Sequence, residues 1–542
     1  MTDRPDWKTV ASEKKSRQLA AIPKEWLDRL TANLPPQTEL DVTLYPKVCG
    51  LLDGRELDIT ESDVPILLQR LSSGEWTAVE VTTAFCKRAV VAQQLTNCLT
   101  EIFFDRALAR AAALDDYLKT TGKVVGMLHG LPISLKDQVN IKGLDSTIGE
   151  RLFLYIQDTT DSYFPFSPGY VSYANKPAER NAVLADILES HGAVLFVKTN
   201  IPQTLMWPET HNNIFGRTLN PNNRSLTSGG SSGGEGALVA LKGSPLGVGS
   251  DIGGSVRIPS ACCGPLSNSL DGLKLFMQAV IDAKPWMKDP LAVCKRWNEE
   301  EYRLADYGDG KQLCFAVLWD DGVVAPHPPI LRVIDWVPLK HAEIYKCISA
   351  IWSAGAAEDY EIVTAVSGEP VIQTMLPETD ILAGETLSYR PSSATAFSAY
   401  KLWQVQKARR VLREEYLQHW QETIEVTGTG RPVDAIICPV AATPAPPHGT
   451  TKNANYTMIW NALDYAALVI PVSKVDQKLD VKRERSAFYN DDDKAHYESY
   501  DPATYVNAPI AVQIVGRTLQ EEAVLGMAEI VDFALKAHNP KL

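Results

Sequence analysis

The 542-residue sequence has no CxxC pair, and its nine cysteines are scattered and odd in number. That argues against a disulfide framework or a thiolate zinc site, and suits a reducing compartment. No run of about 18 apolar residues occurs, so no membrane-spanning helix is expected. Positive charge is in deficit, with 53 Lys and Arg against 66 Asp and Glu and a net charge of −13. Such a chain repels phosphate backbones, which argues against nucleic acid as a partner. The N-terminal MTDRPDWKTVASEKKSRQ has no apolar segment of the kind a secretory signal needs. The C-terminal PKL resembles the peroxisomal SKL only loosely, with Pro for Ser, and the cytoplasm is the expected compartment. No internal repeat is visible.

What is present is an ordinary globular composition, 45% hydrophobic and 22% charged, in a chain long enough to bury a large core. Residues 7–34 read as short amphipathic helices broken at Pro23 and Pro35, and DITESDVPILLQRL offers Thr60 or Ser62 as a helix cap. Helical periodicity continues through EWTAVEVTTAFCKRAVVAQQL and through residues 103–120. From there the texture changes. GLPISLKD (130–137), AVLFVKTN (193–200), PLGVGSD, LCFAVLW, VDAIICPV, ALVIPVSKV and APIAVQIVG read as strands, with helices between most of them. Alternation of this kind predicts a largely parallel α/β sheet. The polar stretch 482–501 is expected at the surface.

One segment invites two readings. GGSSGGEG (229–236) has the composition of a flexible linker. A linker joins polar ends, however, and this one runs straight into the apolar Ala237, Leu238, Val239 and Leu241. Ser231 or Ser232 would then stand at a helix N-terminus, where backbone N–H groups are free. A second cluster, GVGSDIGGSVR (247–257), follows at a distance that one helix and one strand would fill. Two glycine clusters carrying serine would converge there, with backbone N–H groups open to a substrate oxygen. Serine needs a base. His129 and His211 are the nearest histidines in sequence, and neither sits in a recognisable triad pattern. Lys136 ends an otherwise apolar strand, where burial would bring its pKa down from about 10.4 toward neutrality; a lysine paired with Asp137 is the plainer reading.

GGSSGGEGALVALKGSPLGVGSDIGGSVRIPSACCG (229–264) and HGLPISLKD resemble the two signature motifs of the amidase signature family. SGEWTAVEVTTAFCKRA, VKTNIPQTLM, NIFGRTLNPNNRSLTSGG and NALDYAALVIPV resemble its fungal acetamidase-type branch. The resemblance runs from about Leu51 to the C-terminal helix. It implies one large α/β domain (61–542) with a mixed β-sheet core wrapped by helices, behind a helical extension (1–60). It implies a Ser–cisSer–Lys triad, with Ser255 as nucleophile, Ser231 as bridging serine after a cis Gly230–Ser231 peptide, and Lys136 as base. The backbone N–H groups of Ile252, Gly253, Gly254 and Ser255 would bind the oxyanion, and Leu205 would line the substrate site. Ser232, Asp251 and Arg257 are read as supports. The implied reaction is hydrolysis of a small carboxylic amide through an acyl-enzyme, with no metal or cofactor and with a homodimer as the usual assembly.

Two places depart from that pattern. ERLFLYIQDTTDSYFPFSP (150–168) is an atypical insertion, and after Gly264 a strand and a glycine-containing loop of the family are absent, with Pro265 following at once. A mis-spliced gene model or a catalytically impaired amidase-like protein is the alternative these features raise. Gly229–Gly233 also satisfies GxSxG, but that motif needs an apolar strand before it and NPNNRSLTS is polar. No GK[ST] follows the glycines, which disfavours a phosphate loop.

Overall fold

The structure is a computed structural model that describes residues 6–146, 169–325, 327, 335–375, 397–452 and 454–538. The 150–168 insertion lies outside the described residues. The described residues form two compact units, one drawn from the ranges 1–250, 263–297 and 359–375, the other from 251–262, 298–358 and 376–542.

The first unit is built on a four-stranded sheet in the order β1–β3–β2–β6, with β1 (Leu99–Ile102), β2 (Pro132–Lys136), β3 (Val194–Thr199) and β6 (Gly247–Val248). β2 runs parallel to both β3 and β6, while β1 is antiparallel to β3. Every residue of β2 and β3 is buried. That explains the apolar run 194–197 of β3, since a strand covered on both faces needs no polar alternation. The helix Ala78–Thr96 covers the sheet with Val81, Phe85, Ala89 and Ala92, and Ile22, Leu30, Leu51 and Ile59 from the first sixty residues join the same core. A small hairpin pairs β4 (His211–Asn212) with β5 (Gly216–Arg217).

Helix starts differ from the sequence reading in one detail. The caps are Asp53 and Asp63, whose side chains accept from the N–H groups of Glu56 and Ile66. Thr60 and Ser62 instead bond back to the carbonyls of Glu56 and Asp58. They fall at the end of one helix, where a hydroxyl finds a carbonyl four residues behind it.

The second unit carries a sheet in the order β7–β8–β10–β9, with β7 (Phe315–Val317), β8 (Ala435–Pro439), β9 (Ala467–Lys474) and β10 (Pro509–Val515). Only β7 and β8 are parallel, and β10 is antiparallel to both neighbours. The largely parallel sheet expected from alternation therefore gives way to two mixed sheets. A parallel neighbour needs a covering crossover, and the polar stretch between β9 and β10 holds only the short helix Asp491–Glu498. Tyr416, Trp420, Trp460, Ile436 and Val515 form this unit's core. Among the described residues no helix is long and apolar enough to cross a membrane.

Candidate active site

Parallel strands bring their carboxyl ends to one edge, the usual place for a site in such sheets. Lys136 is the last residue of β2, and Ser250 lies two residues past β6. The Lys136 side chain is 0% exposed. Its Nζ lies 2.7 Å from Ser231 Oγ, 2.9 Å from Ser250 Oγ and 3.4 Å from the Ser250 carbonyl. Ser250 in turn donates to Gln138 Oε1 at 2.7 Å. Asp137, in the turn after β2, accepts from Thr100 Oγ1 at 2.6 Å and approaches Lys198 at 3.8 Å.

The glycine–serine stretch is not a linker. Residues 228–239 are all buried, and the helix Gly233–Ala240 starts directly after the serines. The Gly230–Ser231 peptide is cis. Gly234 is packed so tightly that a Cβ would stand 2.3 Å from Asn200 N and 2.6 Å from the Cys98 carbonyl. Thr210 Oγ1 donates to the Gly229 carbonyl at 2.9 Å and accepts from Gly233 N–H at 3.2 Å, which fixes the loop. Ser232 is the residue before the helix, but its buried hydroxyl makes no capping bond. The residues before the stretch contribute one isolated bridge, Leu219–Thr227, rather than the strand that a nucleophile elbow requires.

The second unit holds the loop of the other glycine cluster. Asp251 is its organiser. Its carboxylate accepts from the backbone N–H of Gly254 (2.7 Å) and Val256 (3.1 Å), from Asn461 Nδ2 (3.0 Å) and from two nitrogens of Arg257 (3.1 Å each). Arg257 also donates to Gln513 Oε1 at 3.1 Å. Burial alone would raise the Asp251 pKa, but the Arg257 guanidinium and these donors outweigh it and hold the carboxyl well below the usual range. Gly254 has φ 124°, open to glycine alone, and a Cβ there would lie 2.2 Å from Thr457 Oγ1. The Gly254 N–H, one of the four expected at the substrate oxygen, donates to the Asp251 carboxylate. Ser255 is half-buried and Ile252 is 47% exposed.

Asp251, half-buried, and Arg257, buried, are thus a bidentate pair and not surface charges. Removing one partner of such a pair costs about 3–5 kcal/mol, because the other charge stays buried. Asp251→Ala is expected to lower the denaturant midpoint accordingly; an unchanged midpoint would remove the pair's structural role. The stabilisation is present above the ordinary aspartate pKa and is lost as pH falls through the depressed folded value.

Leu205 follows Thr204 in a tight bend, both with positive φ (58° and 77°), and is half-buried. His129 is held elsewhere, with Nδ1 accepting from Val125 N–H at 3.2 Å, and burial lowers its pKa. His211 lies on β4. The sequence reading passed over Ser250, Gln138 and the buried trio Ser134, Thr199 and Glu235. Ser250 stood within the quoted GVGSDIGG motif, which was the available signal.

A lysine amine held on a serine hydroxyl away from water is the equipment of a hydrolase that works through serine. Comparison with known proteins carries this to a family. The family model described as Amidase matches residues 80–165, 163–266 and 264–525, and the chain belongs to the amidase signature family, hydrolases of linear amide C–N bonds. It is similar to the acetamidase of Emericella nidulans, 37% identical over 572 residues and 97% of each chain. It is also similar to the acetamidase of Aspergillus oryzae, 37% identical over 580 residues, 97% of this chain and 98% of that one. Among solved structures, a fatty acid amide hydrolase matches with TM-score 0.82 and 28% identity, over 98% of this chain and 95% of that one.

Proposed function

We propose that the chain hydrolyses a small carboxylic amide to the carboxylate and ammonia through Lys136, Ser231 and Ser255. The observation that carries this reading is the 2.7 Å contact of Lys136 Nζ with Ser231 Oγ in a buried setting. Neutral Lys136 takes the Ser231 proton as Ser231 takes the proton of Ser255. Ser255 Oγ bonds to the amide carbon, and the N–H groups of Ile252, Gly253 and Ser255 receive the oxyanion, commonly the largest catalytic contribution. The proton returns through Ser231 to the leaving nitrogen, the C–N bond breaks and ammonia departs. Water, deprotonated along the same path, cleaves the ester. The names of the fungal relatives support acetamide as the first substrate to try, with an aryl-acetamide beside it.

One observation favours a second reading, in which this chain is impaired. The alignments to both acetamidases run over more positions than the 542 residues of this chain, and the family match is interrupted near residues 163–165 and 264–266. A missing strand leaves backbone groups unpaired at about 1–3 kcal/mol each. The test is ammonia release by the chain as written and by one with residues 150–168 removed and an acetamidase-like segment restored after Gly264. Full turnover by the unaltered chain would eliminate the impaired reading. Inactivity of both would eliminate amide hydrolysis of these substrates.

A further inference from the structure

Glu235 is the one carboxylate of the GGSSGGEG stretch, and it is 0% exposed. It lies on the first turn of the helix Gly233–Ala240, four residues after Ser231. Its Oε2 accepts from Ser134 Oγ at 2.6 Å and its Oε1 from Thr199 Oγ1 at 2.9 Å. Ser134 and Lys136 are two apart on β2 and so share a face. Thr199 is the residue of β3 in register with Lys136, and Ser134 is in register with Gly247 of β6. Gly247 is packed against the carboxylate so closely that a Cβ there would stand 2.1 Å from Oε2. One side chain therefore ties the helix that follows Ser231 to β2, which ends in Lys136, and to its neighbour β3, with the third strand closing over it. A structural acid of this depth would ordinarily have a cation as its hydrogen-bonded partner. Here both partners are neutral hydroxyls.

We propose that Glu235 is a positioning residue that sets both the contact of Lys136 with Ser231 and the proton affinity of Lys136. The proposal rests on the Lys136–Ser231 reading above. Geometry gives the first half, since the two hydroxyl bonds fix the helix against β2 and β3. Charge gives the second. Lys136 is the cation that Glu235 faces from β2, and the Cys98 thiol, just ahead of β1, feels the same carboxylate. β3 and β6 present Thr199 and Gly247, which carry no charge. Burial pushes the Glu235 pKa up to about 8 against the pull of Ser134, Thr199 and Lys136. Below that pH the acid is neutral and leaves Lys136 free to be a neutral amine. Above it, the carboxylate favours the ammonium and works against the base.

The test compares Glu235→Ala and Glu235→Gln with the wild type. Glu235→Ala is expected to lower kcat about 10²-fold at pH 7, the size of a misplaced general base, with KM little changed. Glu235→Gln copies the hydrogen bonds of the neutral acid and is expected to rescue most of that loss. Its kcat/KM should keep rising above pH 8, where the wild-type profile levels off. A difference of about tenfold is expected by pH 9.5. Superimposable profiles of wild type and Glu235→Gln, or full activity in Glu235→Ala, would overturn the proposal. Two readouts stand apart from turnover. A crystal structure of Glu235→Ala should show the Lys136–Ser231 contact broken. The wild-type melting temperature should fall relative to Glu235→Gln as pH rises from about 4.5 to about 8 and run parallel to it above, because the acid binds its proton more tightly folded than unfolded. An intact contact together with melting curves parallel over the whole range would defeat the proposal even if no amide tried is a substrate, whereas silence of the wild type toward amides would count only against the proposed function.

Discussion

Ser255→Ala is expected to remove amide hydrolysis to within the background, a loss of up to about 10⁶-fold in kcat of the kind seen when a serine nucleophile is deleted. The protein should stay folded, because the loop Asp251–Val256 is organised by Asp251 and not by the serine hydroxyl. Mass spectrometry after a fluorophosphonate should find the adduct on Ser255 in the wild type and none in the variant. Gly254 donates to Asp251, and this turns the backbone around the carboxylate. In the proposed reaction the N–H groups of Ile252, Gly253 and Ser255 receive the incoming oxygen. A serine whose own N–H belongs to that set has its Oγ next to the carbon that the oxygen belongs to. An adduct on Ser231 would reverse the two roles, since Ser231 is hydrogen-bonded to the same lysine.

Much of this was legible in the chain. Strands β2 and β3 could be read because apolar, β-branched runs stand between Gly or Pro and polar residues. β1 could not, because it follows the helix Ala78–Thr96 after two residues and is only four residues long. Asn97, in the left-handed conformation at φ 54°, was the stop signal. The parallel sheet was over-read because alternation in sequence does not say whether the intervening chain crosses over. At the site, Lys136 and Ser231 were carried by motifs, and the structure brings them together. Ser250, Gln138, Ser134 and Thr199 were missed for one reason. Which hydroxyl meets which side chain depends on the register of β2 against β3 and β6, and register is a non-local fact that no short motif encodes. That Glu235, within GGSSGGEG, has two hydroxyls and no cation as hydrogen-bonded partners shows in the fold alone.

Lys136→Ala is expected to reduce kcat/KM by about 10²–10⁴-fold, the range for loss of a general base, and to change the pH profile as well as its height. A lysine accepts a proton only as the neutral amine. If Lys136 is the base, wild-type activity rises with pH as the ammonium gives up its proton, and the alanine variant loses that rise. The direction is fixed by the chemistry, since protonation removes the base. Lys136→Met serves as the volume-matched control, because the side chain is wholly buried and an alanine there leaves a cavity beside Ser231 and Ser250. Equal losses in the two variants, with the methionine form unfolding near the wild-type midpoint, separate the missing amine from the missing bulk. A histidine base predicts a different result, an ascending limb near pH 6.5 that survives both substitutions. His129 is poorly placed to supply it, because its Nδ1 is already taken by Val125 N–H and it lies three residues before β2 begins, at the opposite end of that strand from Lys136. Persistence of that limb in Lys136→Met would end the serine–serine–lysine reading and return the search for a base to the remaining histidines.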